Sequence, residues 1–167
     1  MGLKKNKKTT MHGVAAVEFA LVFPVLFLML YGLLTYSLIF AMQHSLSLAA
    51  AEGGRAAVRF ITAKDDIEDR RGAACEQIKE SLSWLIDLGI GFSCPSGGGS
   101  GGLRVEFPGY PNTPCPGSNQ NQNADSKLKC LDISLTYAYG THPLIPKLLP
   151  VPDKLTGHSF TQIALPY

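Results

Sequence analysis

FALVFPVLFLMLYGLLTYSLIFAM, Phe19 to Met42, is the stretch that decides the fold, because its 24 residues carry no formal charge. About 20 consecutive apolar residues cross the hydrocarbon core of a bilayer as an α-helix. The rest of the chain is too small and too polar to surround such a helix on every side. The stretch therefore predicts a membrane-spanning helix in preference to a buried core helix.

The charges on either side of the span predict its orientation. Four lysines precede it, with no acidic residue before Glu18: Lys4, Lys5, Lys7 and Lys8. The residues beyond the span carry charges of both signs, so the positive-inside rule places the N-terminus in the cytoplasm and the C-terminal part outside it. The formal net charge is only +2. A short basic tract beside a span is better explained as a signal for membrane orientation than as a nucleic-acid-binding patch. We therefore expect a lipid membrane as a partner and no nucleic acid.

The segment after the span, QHSLSLAAAEGGRAAVRFI, predicts that the helix continues beyond the membrane. Its small and apolar residues recur at spacings of three and four, namely Leu46, Ala49, Ala50, Gly53, Ala57 and Phe60. A helix from Val14 to Ile61 would be about 72 Å long at 1.5 Å per residue. Gly53 and Gly54 lie inside it and would let another backbone approach closely. A break at these glycines is the alternative, because each costs up to about 1 kcal/mol in a helix.

The remaining residues predict a small α+β domain. A second helix should run from a turn at Ala63 to about Leu88, and the Gly/Ser-rich stretch 95–102 should be a flexible linker. Alternating apolar residues predict three strands: Leu103 to Phe107, Cys130 to Tyr139 and Ser159 to Tyr167. The fold class is therefore α+β, a long N-terminal helix followed by a helix packed on a small antiparallel sheet. The predicted domains are a basic leader (1–13), the spanning helix with its extension (14–62) and an extracytoplasmic domain (63–167).

All four cysteines, Cys75, Cys94, Cys115 and Cys130, lie on the side placed outside the cytoplasm. An even count in a small exported domain favours disulfides, and the absence of a C-x-x-C pair argues against a zinc site. Three connectivities are possible. The short loops favour Cys75–Cys94 with Cys115–Cys130, and free buried thiols stay open as the alternative.

Gly13 and Glu18 stand in the string GVAAVEFALVFP, in which a basic leader ends in glycine and an apolar segment follows at once. This string resembles the processing signal of type IV pilin-like proteins, which implies cleavage between Gly13 and Val14 by a prepilin peptidase. A carboxylate inside a membrane segment is costly and usually functional. Glu18 of one subunit could pair with the new Val14 amine of a neighbour and set the subunit register. The alternative is a boundary residue at the headgroup level.

The resemblance becomes more specific over residues 12–60. AAVEFAL at the start, followed after the span by AEGGRA, Ala51 to Ala56, is similar to the TadE-like family of the tight-adherence (Flp) pilus system. Gly54 stands where alanine is more usual in that family, and Phe19 differs from the tyrosine common in the major pilins of the system. The resemblance implies a pseudopilin or minor pilin in the bacterial inner membrane. Its expected partners are other pilins, the inner-membrane assembly platform and the prepilin peptidase.

No stretch of the sequence predicts catalysis, a metal site or a cofactor. The linker formally fits G-x-S-x-G, but no strand–turn–helix context surrounds it. The four histidines show no ligand spacing. Two other functions are open: a membrane-tethered extracytoplasmic binding or adhesion module outside any pilus, and a hydrolase using His158 or Ser159.

Overall fold

The apolar run forms the first half of one continuous helix. The structure, a computed structural model, describes residues 12–59, 67–95, 101–108 and 128–164. Helix α1, His12–Arg59, is 48 residues long and passes through Gly53 and Gly54 without a break. Hydroxyls inside the apolar half donate back to the helix's own carbonyls, as from Thr35 Oγ1 to Tyr31 O at 2.7 Å. The predicted continuation of the helix beyond the span is therefore confirmed.

The other elements follow α1 in a simple order. They are α2 (Ile67–Ser81), α3 (Ser83–Asp87), β1 (Phe92–Ser93), β2 (Leu103–Glu106), β3 (Leu128–Tyr137) and β4 (Leu155–Ala164). The chain divides into an N-terminal unit, Met1–Leu38, and a C-terminal unit, Ile39–Tyr167. The predicted leader, apart from its last two residues, and the predicted turn at Ala63 lie outside the described residues.

The C-terminal unit begins much earlier in the chain than the boundary at 62–63 that the sequence suggests. From Ile39 onward, one side of α1 is buried at every third or fourth residue: Ile39, Met42, Leu46, Ala49, Ala50, Gly53, Gly54 and Ala57. Five of the six residues of the predicted amphipathic stripe lie on this side, and Phe60 is outside the described residues. The stripe therefore supplies one wall of the unit's own core.

Helix α2 packs antiparallel to the end of α1. Arg70 near the start of α2 donates to Ala57 O at 3.0 Å, and Ile78 near its end lies against Gly53. The single second helix predicted to run to Leu88 is instead two, separated at Leu82. Ser81 Oγ donates to Gln77 O at 2.9 Å, a bond of the kind that bends helices. Gly89, at a φ of 84°, follows α3 in the left-handed conformation that glycine adopts readily.

The sheet has the strand order β1-β2-β3-β4. β2, β3 and β4 are antiparallel neighbours, as predicted, whereas β1 pairs parallel with β2 and makes the sheet mixed. β1 has only two residues, too few to show any alternation in the sequence. Strand β4 begins at Leu155, four residues before the predicted start, because it pairs with the whole of β3. The α+β class is confirmed, with this one parallel strand added.

The core lies between the helices and one face of the sheet. The predicted inward face of β3 is buried, since Leu131, Ile133, Leu135 and Tyr137 are each at most 4% exposed. Cys75 of α2 and Cys94 after β1 form a disulfide with Cα atoms 6.4 Å apart, the pairing that the sequence favours. Cys130 is also disulfide-bonded, and its predicted partner, Cys115, lies outside the described residues.

Candidate functional site on the N-terminal helix

The two residues of the predicted processing site lie in the first turn of α1. Val14 is 65% exposed, and a Cβ placed on Gly13 would have no heavy atom within 4 Å. Neither residue is covered by another described part of the chain. Among the described residues, none blocks access to the peptide bond between Gly13 and Val14.

Glu18 lies one turn further along, among exposed apolar side chains that include Val17 and Phe19. Residues four apart on a helix are surface neighbours, so Glu18 and Val14 share one side of α1. The position combines a charge with a surface that is otherwise apolar.

An aromatic ridge runs along α1 beside Glu18. It consists of Phe19, Phe23, Phe27 and Tyr31, whose successive ring centroids are 5.3, 6.2 and 6.2 Å apart. This ridge was not predicted, although its regular spacing of four residues in the sequence was an available signal. The ridge gives one side of the exposed helix a bulky, stiff surface.

Gly53 and Gly54 face the interior of the C-terminal unit. A Cβ on Gly53 would lie 2.6 Å from the Ile78 side chain, and a Cβ on Gly54 would clash with Thr161 Oγ1. The close contact that these glycines allow is therefore with α2 and β4 of the same chain. The close approach predicted at Gly53 and Gly54 is thus made by elements of the same chain, and the stripe to which they belong is buried.

The AEGGR stretch, Ala51 to Arg55, has two sides. Its glycines face inward, whereas Glu52 and Arg55 form an exposed ion pair at 2.6 Å on the opposite side. This pair lines an open groove of about 830 Å³ between α1 and the α2–α3 segment. The groove is bordered by side chains of both charge signs: Glu52, Arg55, Arg59, Glu76, Lys79, Glu80 and Asp87.

The structure does not bring together the two residues of the hydrolase alternative. His158 is exposed on the outer face of β4, whereas Ser159 faces α1, because neighbouring strand residues point to opposite faces. Burial, with a smaller contribution from Tyr139, raises the pKa of Tyr137, whose hydroxyl donates to His142 O in the interior. Among the described residues, no group of three or more His, Cys, Asp or Glu side chains is placed to hold a metal ion.

Helix α1 is the one described element that is long and apolar enough to cross a membrane, and none of its most apolar window is buried. This exposure argues against a core helix and is consistent with single-pass anchoring. No curated protein matches the chain, and no solved structure matches it. The model of the TadE-like protein family matches residues 13–55, a range that lies wholly on α1. Over that range the chain is similar to the TadE-like family, and the similarity includes its AAVEFAL and AEGGR stretches.

Proposed function

We propose that this protein is a pseudopilin or minor pilin that takes part in assembling tight-adherence (Flp, type IVb/IVc) pili for surface adhesion. The observation that carries the proposal is the TadE-like match over residues 13–55. That match covers the exposed apolar half of α1 and ends at the AEGGR stretch, so the likeness concerns the helix and not the sheet. The role is structural, without catalysis or a cofactor.

The protein is anchored in the bacterial inner membrane by a single span. The N-terminal lysines support a cytoplasmic N-terminus, which leaves the C-terminal unit in the periplasm or outside the cell. The Cys75–Cys94 disulfide supports the same location for the C-terminal unit, because disulfides persist in oxidising compartments.

A prepilin peptidase cleaves the chain between Gly13 and Val14. The exposure of Val14 and the open space around Gly13 support access of the enzyme to this bond. Gly13→Leu should block cleavage, which the intact mass of membrane-extracted protein measures. Gly72→Leu is a matched control, because a Cβ at Gly72 also meets nothing within 4 Å. Cleavage of the Gly13→Leu variant at the normal rate would contradict the assignment.

Glu18 sets the register between this subunit and a neighbouring pilin. After cleavage, the Val14 amine would be largely protonated at neutral pH. It would lie one turn from Glu18 of its own chain, so an ion pair within the subunit competes with the pair between subunits. In the bilayer, where leucine is already solvated by lipid tails, such polar pairs and close packing drive association.

Crosslinking in piliated cells tests the proposal. Glu18→Gln should lose crosslinks to pilus subunits and reduce pilus counts while membrane insertion persists. Glu106→Gln, on the exposed outer face of β2, is the matched control and should change neither. Normal crosslinks and normal pilus counts in the Glu18→Gln cells would remove Glu18 from the mechanism.

The groove beside Glu52 favours the second candidate, a membrane-tethered binding module outside any pilus. Its lining of mixed charge could receive a segment of another protein without any assembly step. A binding module predicts that the protein stays uncleaved and that deleting its gene leaves pilus number unchanged. A pilus component predicts a processed chain and a loss of pili on deletion.

A further inference from the structure

Helix α1 and strand β4 run side by side in the same direction through the C-terminal unit. A Cβ on Gly157 would lie 2.6 Å from the Leu46 backbone, and one on Gly54 would lie 3.3 Å from Ser159. A strand advances about 3.3 Å per residue and a helix 1.5 Å. Leu155 is therefore level with Met42, and the connection before it, residues 138–154, lies at the end of the unit where α1 enters at Ile39. We call this end the anchor-side end.

The turn between α3 and β1 lies at the same end. A Cβ on Gly102 would lie 2.8 Å from the His142 side chain and 3.3 Å from Ile90, so the turn and the 138–154 connection are neighbours. The backbone agrees, because Leu103 donates to Gly91 O at 3.0 Å and Ala138 donates to Gly102 O at 2.8 Å. Two separate segments of the chain thus form the anchor-side end.

The anchor-side end carries exposed apolar side chains on both segments. Beyond α1, the large apolar residues exposed in the described part of the unit are Trp84, Leu88, Leu148 and Phe160. Leu88 stands on the turn and is 62% exposed, and Leu148 stands on the connection and is 64% exposed. Trp84 precedes Leu88 by one helical turn. Scattered apolar residues are normal on a surface, but Leu88 and Leu148 stand on the two segments that form the end at which α1 enters the unit.

The charges at this end do not favour an acidic or basic partner. Lys147 and Lys154 on the connection are balanced by Asp153 and by Asp87 at the end of α3, all of them exposed. Four prolines also stiffen the connection, Pro143, Pro146, Pro150 and Pro152, so little conformational freedom is lost if its apolar tip is held in place. The surface is suited to a neutral, partly apolar environment.

We propose that the anchor-side end rests on the headgroup layer of the bilayer that α1 spans, with Leu88 and Leu148 inserted to the acyl boundary and Trp84 at headgroup level. The inference rests on the proposed membrane anchoring. Apolar side chains of interfacial segments reach about 5–10 Å into this layer, and tryptophan is enriched there. The proposed span identifies the occupant, because the uncharged run of α1 continues to Met42, and Met42 is level with this end of the unit. The balanced charges predict that the contact needs no anionic lipid.

Fluorescence quenching by brominated acyl chains tests the contact in the full-length protein reconstituted in phosphatidylcholine vesicles. Trp84 is the one tryptophan of the chain, so Trp84→Phe removes the native tryptophan fluorescence. A single tryptophan introduced into this variant can then be followed by itself. Leu148→Trp and Leu88→Trp report on the two segments. Leu28→Trp reports on the span, and Val58→Trp is the matched exposed control near the far end of α1.

Strong quenching is expected at Leu28→Trp, clear quenching at Leu148→Trp and Leu88→Trp, and none at Val58→Trp. Adding phosphatidylglycerol should leave this order unchanged. If Leu28→Trp is quenched while the two reporters are as bright as Val58→Trp, the inference is overturned and the span stands. If Leu28→Trp is also bright, the anchoring itself fails. Where a variant misfolds, the fluorescence of Trp84 in the wild-type protein is measured instead. Quenching of Trp84 by lipids brominated near the headgroup supports the contact, and an absence of quenching opposes it.

Discussion

Replacing Gly54 by alanine should destabilise the C-terminal unit, although the same change elsewhere in a helix stabilises it. The new Cβ would lie far inside the contact distance of Thr161 Oγ1 and 3.3 Å from Ser159 Oγ. Overpacking of this kind costs about 1–3 kcal/mol. Alanine regains up to about 1 kcal/mol through its better helix propensity. The contact with Thr161 Oγ1 is very short, so the cost of overpacking should lie in the upper part of its range. After the gain in helix propensity is subtracted, we expect a net loss of about 1–2 kcal/mol in the free energy of unfolding.

Urea unfolding of the full-length protein in detergent, followed by Trp84 fluorescence, measures this loss. Gly72→Ala is the control, because its Cβ meets nothing within 4 Å, and it should raise stability by up to about 1 kcal/mol. A double-mutant cycle with Thr161→Ala isolates the clash. Removing the threonine hydroxyl should make Gly54→Ala less costly, with a coupling of about 0.5–3 kcal/mol.

A Gly54→Ala protein as stable as the Gly72→Ala protein would contradict this expectation. That outcome would mean that α1 does not press on β4 at this position. The glycines would then be free to contact the backbone of another subunit.

The remaining predictions concern processing, register, oxidation and pH. Gly13→Leu should leave the leader attached, as read by intact mass, and Glu18→Gln should lose crosslinks to pilus subunits without losing membrane insertion. Alkylation of the denatured, non-reduced protein should label neither Cys75 nor Cys94, and removing their bond should cost about 2–5 kcal/mol in unfolding measurements. Because the folded-state pKa of Tyr137 is raised, the stability that its neutral form contributes is fully present below about pH 10 and is lost as the pH rises through the folded-state value. Alkaline unfolding should therefore begin at higher pH in Tyr137→Phe, and an unchanged onset would contradict the burial of this hydroxyl.

The elements that the sequence predicted well are those with a long periodic signal. The uncharged run and the three-and-four spacing after it correctly predicted one helix through Gly53 and Gly54, and alternation predicted the buried face of β3. β1 was missed because two residues carry no period, and its parallel pairing depends on contacts distant in sequence. The early start of β4 was missed because pairing with β3 extends it over Gly157, a residue with weak strand preference.

The sequence named residues for the candidate site, but it could not name the neighbours that those residues have in the fold. Spacing marked Gly53 and Gly54 as positions of close contact, but periodicity cannot say whether the neighbour belongs to the same chain. The answer lies in Ile78 and Thr161, which are distant in sequence and are brought together by folding. The sequence alone also could not predict that the glycines of the AEGGR stretch face inward while Glu52 and Arg55 face outward. The positions of α2 and β4 decide which side of α1 is buried.

The entry of α1 into the C-terminal unit at Ile39 decides where the chain can be shortened. A fragment that starts at residue 63, the boundary predicted from the sequence, would lack Met42, Leu46 and the rest of the helix side that closes the core. Its sheet would then present an uncovered apolar face and would aggregate. A fragment that starts near Ile39 keeps this side and discards the apolar half of the helix, so it is the form to prepare for crystallisation without detergent.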